Sequence, residues 1–325
     1  MSNNSIIQVP AILNTYVETE NHFNLKRIIE SNKFFPVMIV GPSGTGKSIT
    51  VEQVCAQLNR EYCRIQITPE TDEDSLIGGF RIRNGDMEFD DGPVLRAMRS
   101  GAILMIDEID RGSNKIMCLQ AVMEGKPLTI KRTGEIVYPA PGFNIVVTGN
   151  TKGRGDQSGR YMAACIIDDA FLERIPVTLI HDYPSEQDES EILRRHMESL
   201  NLKDEVVFRA LLKWSRKSRP TILDDEEDEA VISTRRMCMV ADMISMVGDD
   251  AQAVQLVCNR YETSDTAALV TSYAAIRPDV QREVEEAARM KEIAERSNKF
   301  VDTDTGDAVD SLIERMKARK AARGG

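Results

Sequence analysis

Eight consecutive residues, 41–48, combine three glycines with a lysine and a hydroxyl side chain in the pattern GxxxxGK[ST]. Glycines allow the backbone to bend closely enough for successive N–H groups to point at phosphate oxygens. Lys47 would add positive charge near the outer phosphates, and the Ser48 hydroxyl would contact Mg²⁺. The residue types therefore predict a phosphate-binding loop formed by Gly41, Pro42, Ser43, Gly44, Thr45, Gly46, Lys47 and Ser48.

The residues on either side of this loop suit the same interpretation. A short apolar run, 37–40, precedes it, and apolar residues recur at helical spacing over residues 49–59. A helix that begins at Lys47 would direct its N-terminal dipole at the phosphates. A chance match to the pattern should occur in roughly one chain per hundred of this length. The strand-loop-helix context makes that alternative weaker still, so the sequence predicts nucleotide binding.

A second group of chemically active residues follows the apolar run AILMI at residues 102–106. Ligands of open parallel sheets bind beyond the carboxyl ends of the strands, where Asp107 and Glu108 would meet the phosphate loop. We expect Asp107 to act on Mg²⁺ and Glu108 to polarise the water that attacks the terminal phosphate. A simple acidic loop is the alternative, but it does not explain why the acids follow a strand of buried type. Asp110 is interpreted as a helix cap.

The elements that must position these residues are visible in the hydrophobic pattern. Apolar runs at 36–40, 62–67, 102–106, 144–148 and 176–180 alternate with helix-like stretches, which predicts a parallel sheet covered by helices on both faces. After His181 only helical signals remain, with starts at Ser185 and Ser233 and a stop at Gly248. The predicted division is an N-terminal linker (1–35), an α/β nucleotide-binding domain (36–182), a helical lid (183–260) and a helical or partly disordered tail (261–325).

Composition narrows the possible function classes. The formal net charge of −11 and the aromatic content of 5% argue against a surface that binds nucleic acid. No Cys or His cluster has the spacing of a structural metal site, and the six acids at 224–229 are interpreted as a solvated loop. No apolar run is long enough to span a membrane, and no secretion signal opens the sequence, so we expect a cytoplasmic location.

The segments GPSGTGKS and ILMIDEID resemble the Walker A and Walker B motifs of AAA+ ATPases. Residues 148–175, TGNTKGRGDQSGRYMAACIIDDAFLERI, resemble the branch that holds the MoxR-like proteins and CobS, the small ATPase subunit of aerobic cobaltochelatase. The resemblance extends from about residue 36 to residue 182 and is patchier in the lid. It implies an AAA+ P-loop domain with a five-stranded parallel sheet, a C-terminal all-α lid, and hydrolysis of ATP with Mg²⁺.

Further site residues are implied by this resemblance. Asn150 would be sensor 1, which holds the attacking water beside Glu108, and an amide can both donate to phosphate and accept from water. Arg174 would be the arginine finger that reaches the nucleotide of a neighbouring subunit, although an ordinary salt bridge is the alternative. Arg235 would be sensor 2 in the lid, with Arg236 as a rival because helix register decides which side chain points inward.

Two stretches look like insertions that the same branch carries. Residues 79–92 contain an Asn-Gly turn between alternating segments, and residues 128–137 have the pattern of a second hairpin. In rings of this family such hairpins face the pore or a partner. Plain surface hairpins remain the alternative.

The sequence therefore favours an ATP-hydrolysing motor that forms a homo-oligomeric ring, expected to be hexameric, and remodels a partner protein. A CobS-like subunit is the specific case, with a chelatase large subunit or a von Willebrand A domain protein as partner. The alternative is a nucleic-acid-associated AAA+ protein, such as a helicase loader or translocase. It would bind nucleic acid through basic residues in or near the two hairpins: Arg81, Arg83, Lys126, Lys131 and Arg132. A nucleotide switch without hydrolysis fits poorly with Glu108, Asn150 and Arg174.

Overall fold

A computed structural model of the protein describes residues 6–83, 85–155, 164–219 and 230–321, with side chains described as far as residue 294. The acidic stretch at 224–229 lies outside the described residues, as do residues 156–163 within the segment that carries the family resemblance.

A five-stranded parallel sheet forms the centre of the first domain. Its strands are β1 (Val37–Val40), β2 (Tyr62–Gln66), β5 (Ile103–Asp107), β8 (Asn144–Gly149) and β9 (Val177–Ile180). The strand order is β2-β5-β8-β1-β9, and every pairing is parallel. The predicted strands are confirmed, each within one residue of its predicted bounds. This order places the carboxyl end of β1 beside that of β8, and the carboxyl end of β5 between those of β8 and β2.

Helices cover both faces of this sheet because the buried side chains of each strand alternate between the two faces. Ile103 and Met105 pack into one apolar layer, whereas Leu104 and Ile106 pack into the other. The first layer is closed by α1 (Glu20–Glu30) and α2 (Lys47–Gln57). The second is closed by α3 (Glu73–Leu76), α4 (Pro93–Ser100), a 3-10 helix (Asn114–Leu119) and α5 (Gln120–Met123).

The N-terminal segment is part of the packed domain. Leu25 and Ile29 of α1 are buried in the layer beneath α2. Gln8 forms an antiparallel bridge with Tyr62 on the edge strand β2. The stretch predicted as a linker, 1–35, therefore contains a helix that contributes to the core.

Both predicted hairpins form antiparallel strand pairs. The first joins β3 (Gly78–Arg83) to β4 (Asp86–Asp91), and Asn84 of its predicted turn lies outside the described residues. The second joins β6 (Leu128–Thr129) to β7 (Ile136–Val137).

After β9, α-helices are the only regular secondary structure among the described residues. A short helix α6 (Asp169–Leu172) precedes β9, and the helices that follow are α7 (Glu186–Ser199), α8 (Glu205–Lys217), α9 (Thr234–Val247), α10 (Asp250–Cys258) and α11 (Thr263–Ala321). Ser185 and Ser233 accept N-terminal backbone hydrogen bonds at the starts of α7 and α9, as predicted. Gly248 ends α9 with a φ of 72°, as the sequence also predicts.

The first turns of α11 belong to the apolar cluster of the lid. Tyr273 and Ile276 are buried among side chains of α8 and α10, and the Trp214 indole donates to the Leu269 carbonyl at 2.9 Å. The cluster reaches Val280, so it extends past residue 260, where the sequence analysis placed the end of the lid. Residues 285–294 of the same helix are exposed. Among the residues that the structure describes, no helix has the length and apolar character of a membrane span.

Candidate active site

The glycines of the phosphate loop are required by its backbone path between β1 and α2. Gly44 and Gly46 have φ values of 83° and 107°, which strain residues with a side chain. A Cβ on Gly41 would lie 1.9 Å from the carbonyl oxygen of His181. The loop therefore approaches both the end of β9 and the lid too closely for larger residues.

Side chains of the loop brace it from within. The Thr45 hydroxyl is buried and donates to the Pro42 carbonyl at 3.0 Å. The His181 imidazole lies 3.2 Å from the Thr45 carbonyl through Nε2, and burial lowers the pKa of His181 below its usual range. Ser43 lies on the open side of the loop and lines the cavity.

Lys47 connects the loop to the end of β8. Its ammonium donates to the carbonyls of Gly41 and Pro42 at 2.7 and 2.8 Å and to Asn150 Oδ1 at 3.0 Å. Burial lowers the pKa of Lys47 to about 8, although the nearby Asp107 carboxylate opposes this change. The cation is thus held at the floor of the cavity by neutral oxygens that a phosphate could replace.

Asp107 ends β5 as a nearly buried carboxylate with several donors. Ser48 Oγ lies 3.2 Å from both of its oxygens, and Thr148 donates its hydroxyl to Oδ1. Arg64, on the neighbouring strand β2, donates from Nε to Oδ2 at 3.0 Å. Ser48 and Asp107 thus offer a hydroxyl and a carboxylate side by side. Mg²⁺ is commonly held by one or two protein oxygens together with phosphates and waters, so this donor set fits the ion.

Glu108 follows directly and adopts a left-handed backbone conformation, with φ 56° and ψ 46°. For a residue with a Cβ this conformation costs roughly 1–2 kcal/mol. A hydrogen bond from its N–H to Thr148 Oγ1 at 3.1 Å helps to hold it. Its carboxylate accepts from Gln66 Nε2 at 2.9 Å and lies 3.3 Å from Arg111 Nε. The strained residue therefore has its carboxylate fixed at the mouth of the site.

Asp110 is not a helix cap, and that prediction is wrong. It lies inside a 3-10 turn (Ile109–Arg111) and is 1% exposed. Its carboxylate accepts from the backbone N–H groups of Asn150 and Thr151 at 2.8 and 2.9 Å. The position was misread because the sequence does not show that the chain after β8 passes over this side chain.

The lid contributes Arg235 to the same cavity. Its backbone N–H donates to the Gly44 carbonyl at 3.2 Å, and the residue lines the cavity above the loop. Arg236 points into the lid instead, where its guanidinium lies over the Tyr261 ring, 5.9 Å from the ring centre, and 3.4 Å from the Val257 carbonyl. Helix register therefore places Arg235 at the phosphate loop. The cavity brings together Lys47, Ser48, Asp107, Glu108, Asn150 and Arg235.

Comparison with known proteins identifies this arrangement. Residues 36–162 match the family model of the AAA domain, dynein-related subfamily. The chain carries an AAA+ ATPase domain.

Its relatives include proteins of the CobS and NorQ kind. The aerobic cobaltochelatase subunit CobS of Sinorhizobium sp is 26% identical, over 73% of this chain and 74% of CobS. Protein NorQ of Paracoccus denitrificans is 32% identical, over 35% of this chain and 43% of NorQ. An uncharacterized protein of Staphylococcus saprophyticus is 26% identical, over 70% of this chain and 84% of its own length. The domain is thus an AAA+ ATPase similar to CobS and NorQ.

Arg174 lies outside the nucleotide cavity of its own AAA+ domain. It follows α6, its Nε donates to Glu124 Oε1 at 2.7 Å, and its side chain is 27% exposed. Within one chain it therefore forms an ion pair with Glu124 and does not line the nucleotide cavity.

Four residues around the AAA+ site were missed by the sequence analysis: Arg64, Gln66, Thr148 and His181. Arg64 and Gln66 are two positions apart on β2 and therefore share one face of the sheet. Arg64 reaches Asp107 and Gln66 reaches Glu108 because β2 pairs with β5. Two polar residues at the carboxyl end of a predicted strand were the available signal. Strand order, which the sequence does not give, decides their partners.

Proposed function

We propose that this AAA+ ATPase assembles into a ring, hydrolyses ATP at sites between subunits, and uses the hydrolysis to remodel a partner protein. The observation that carries the proposal is the division of the charged residues. One cavity holds Lys47, Asp107 and Glu108, whereas Arg174 lies outside it on the surface of the same chain. In the proposed ring, Arg174 of a neighbouring copy would add a further cation to Lys47, Arg64 and Arg235 of this cavity.

The roles of the phosphate loop and of β5 follow from their contacts. The loop N–H groups and Lys47 would bind the phosphates of ATP, since Lys47 already occupies the floor of the cavity. Ser48 and Asp107 would hold Mg²⁺, which when bound supplies positive charge to the outer phosphate oxygens. Arg64 and Thr148 hold the Asp107 carboxylate in place from the other side.

Glu108 and Asn150 would act on the attacking water. Glu108 is the general base, and Asn150, on the adjacent strand end, holds the water through its amide. In this structure Glu108 is engaged by Gln66 and Asn150 by Lys47. Each contact uses one oxygen of its side chain, so the second Glu108 carboxylate oxygen and the Asn150 amide NH2 could still meet a water.

Arg235 would connect the nucleotide to the lid. It enters the cavity from the first turn of α9, one of the helices that pack into the apolar cluster of the lid. A change in the charge of the bound phosphates would therefore change the force on Arg235 and, through α9, the position of the lid helices. Such a linkage is what a motor needs in order to convert hydrolysis into movement.

A protein is the better candidate for the partner than a nucleic acid. The basic residues in and near the two hairpins are paired with acids of the same chain: Arg81 and Arg83 with Asp90, Lys126 with Glu124, Lys131 with Glu73, and Arg132 with Asp74. A nucleic acid would have to displace these acids, which reduces the net free energy gained when its phosphates bind the cations. Similarity to CobS suggests a chelatase large subunit as one possible partner of this kind.

The proposal is tested by measuring ATP turnover per subunit over a wide range of protein concentration. A site completed by a neighbour works only after assembly, so turnover should rise steeply with concentration and reach a plateau. Sedimentation at the same concentrations should show the oligomer appearing in parallel. Turnover from material that sediments as a monomer would contradict the proposal.

Removal of Arg64 tests the assignment of Asp107 to the metal. The Arg64 guanidinium is bound to the carboxylate that would meet Mg²⁺. Because the Arg64 side chain is 43% exposed, solvent screens its charge and the pair should contribute about 0.2–1 kcal/mol. Arg64→Ala should therefore lower the Mg²⁺ concentration for half-maximal binding of a fluorescent ATP analogue by about 1.4- to 5-fold. Arg99→Ala, which removes an arginine bound to Asp91, should leave that concentration unchanged. An unchanged Mg²⁺ requirement in Arg64→Ala would contradict the assignment of Asp107 to the ion.

A further inference from the structure

We propose that Asp110 is a positioning residue for ATP hydrolysis, and that its buried carboxylate sets the place of Asn150. The inference rests on the role proposed above for Asn150. Asp110 does not line the cavity; its hydrogen bonds reach the site through the backbone that carries Asn150, and its charge also acts on Lys47.

The contacts of Asp110 converge on one carboxylate oxygen. Oδ2 accepts from the N–H of Asn150 at 2.8 Å, from the N–H of Thr151 at 2.9 Å and from the Thr151 hydroxyl at 3.1 Å. The other oxygen, Oδ1, is buried and has no hydrogen-bond partner within the described part of the chain. Charge-assisted hydrogen bonds are about twice as strong as neutral ones, and a low local dielectric strengthens them further. The loop after β8 is therefore held by charge.

The main chain of Asp110 also contacts the segment that precedes α6. Its carbonyl accepts from the Cys165 N–H at 2.6 Å. Next to it, the Ile167 N–H donates to the Gly153 carbonyl at 2.8 Å. Asp110 thus contacts two segments: the one that follows β8, at Asn150 and Thr151, and the one that precedes α6, at Cys165.

Asp110 is also close in sequence to the proposed base. It lies two residues after Glu108, whose backbone is left-handed, and the single residue between them, Ile109, is buried. The carboxylate thereby fixes the distance between the strand end that carries Glu108 and the strand end that carries Asn150. A misplacement of catalytic groups by about 1 Å can cost on the order of 100-fold in rate.

A purely structural role is the competing explanation, because loss of a buried hydrogen-bonded acid destabilises any fold. The two explanations differ in what they predict for kcat once folding is controlled. A positioning residue lowers kcat and leaves ATP affinity nearly unchanged, and its effect disappears when the group that it positions is absent. A structural residue does neither.

The test is a double-mutant cycle on the full chain, with single-turnover ATP hydrolysis, binding of a fluorescent ATP analogue and thermal melting. Asp110→Ala should lower the rate by about 10- to 100-fold and change the dissociation constant by less than about 3-fold. Asp110→Asn should lose only about 3- to 5-fold, since its amide oxygen still accepts from both backbone N–H groups. In the Asn150→Ala background, neither substitution should lower the rate further.

Asp250→Ala serves as the matched structural control, because Asp250 is a half-buried acid of the lid that accepts from the Tyr273 hydroxyl at 2.9 Å and pairs with Arg277. It should lower the melting temperature and leave the rate per folded subunit unchanged. If Asp110→Ala behaves in the same way, the inference is overturned. Should Asp110→Ala fail to fold, Asp110→Asn takes its place in the cycle, and additive losses with Asn150→Ala overturn the inference equally.

The outcome for Asn150→Ala alone separates this inference from the proposed function. A normal rate in Asn150→Ala removes the proposed role of Asn150, and the inference with it. A slow Asn150→Ala beside a normal Asp110→Ala leaves the proposed role of Asn150 standing and overturns only the role of Asp110.

Discussion

Glu108→Gln is expected to bind ATP with nearly normal affinity and to hydrolyse it on the order of 100- to 10,000-fold more slowly, the range by which a positioned general base accelerates a reaction. Glutamine keeps the shape of the side chain and its contact with Gln66, but its amide cannot take a proton from water. The measurement is steady-state ATP turnover together with equilibrium binding of a fluorescent ATP analogue.

The control for this substitution is Glu205→Gln on the lid surface. Glu205 pairs with Arg209 one helical turn away and does not line the cavity. It should retain full turnover. Normal turnover in Glu108→Gln would show that another group activates the water, and the assignment of Glu108 as the base would then be wrong.

Arg174→Ala is expected to lower turnover on the order of 1,000-fold or more while leaving ATP binding by each subunit intact, as found when arginine fingers are removed. In the proposed role, the positive charge of Arg174 stabilises the transition state at a neighbouring site. Mixing Arg174→Ala with the binding-deficient Lys47→Ala should restore part of the turnover, because some interfaces then pair an intact Lys47 cavity with an intact Arg174.

Glu124→Ala distinguishes the finger from an ordinary salt bridge. Glu124 is the partner of Arg174 within the chain, and hydrogen bonds from Lys126 and Arg174 lower the pKa of Glu124. If Arg174 only stabilises the fold, removal of either partner should have the same small effect. If Arg174 acts across an interface, Glu124→Ala should keep most of the turnover. Equal losses in both variants, with no recovery in mixtures, would contradict the finger.

Much of the AAA+ fold could be predicted from local sequence pattern. The five strands are short apolar runs of buried type, and they were located to within one residue because a parallel sheet covered on both faces requires such runs. The start of α9 at Ser233 and its end at Gly248 were also predictable, since capping is decided by residue type at one position.

The partners of the site residues could not be predicted in the same way. Gln66 reaches Glu108 and Arg64 reaches Asp107 only because β2 lies next to β5 in the sheet. Asp110 was misread as a cap for the same reason, since its partners Asn150 and Thr151 are 40 residues away or more. The choice of Arg235 over Arg236 was likewise left open until the packing of α9 fixed its rotation.

The sequence by itself determined the chemistry of this protein. The phosphate loop, the acids after β5 and the succession of strands and helices along the chain are local patterns. Local backbone and side-chain preferences are enough to specify them. The tertiary structure decided which of the many charged and polar side chains meet. The order of strands within the sheet, the rotation of α9 and the path of the chain over Asp110 depend on contacts between distant segments. Burial of the whole core decides which of those contacts form.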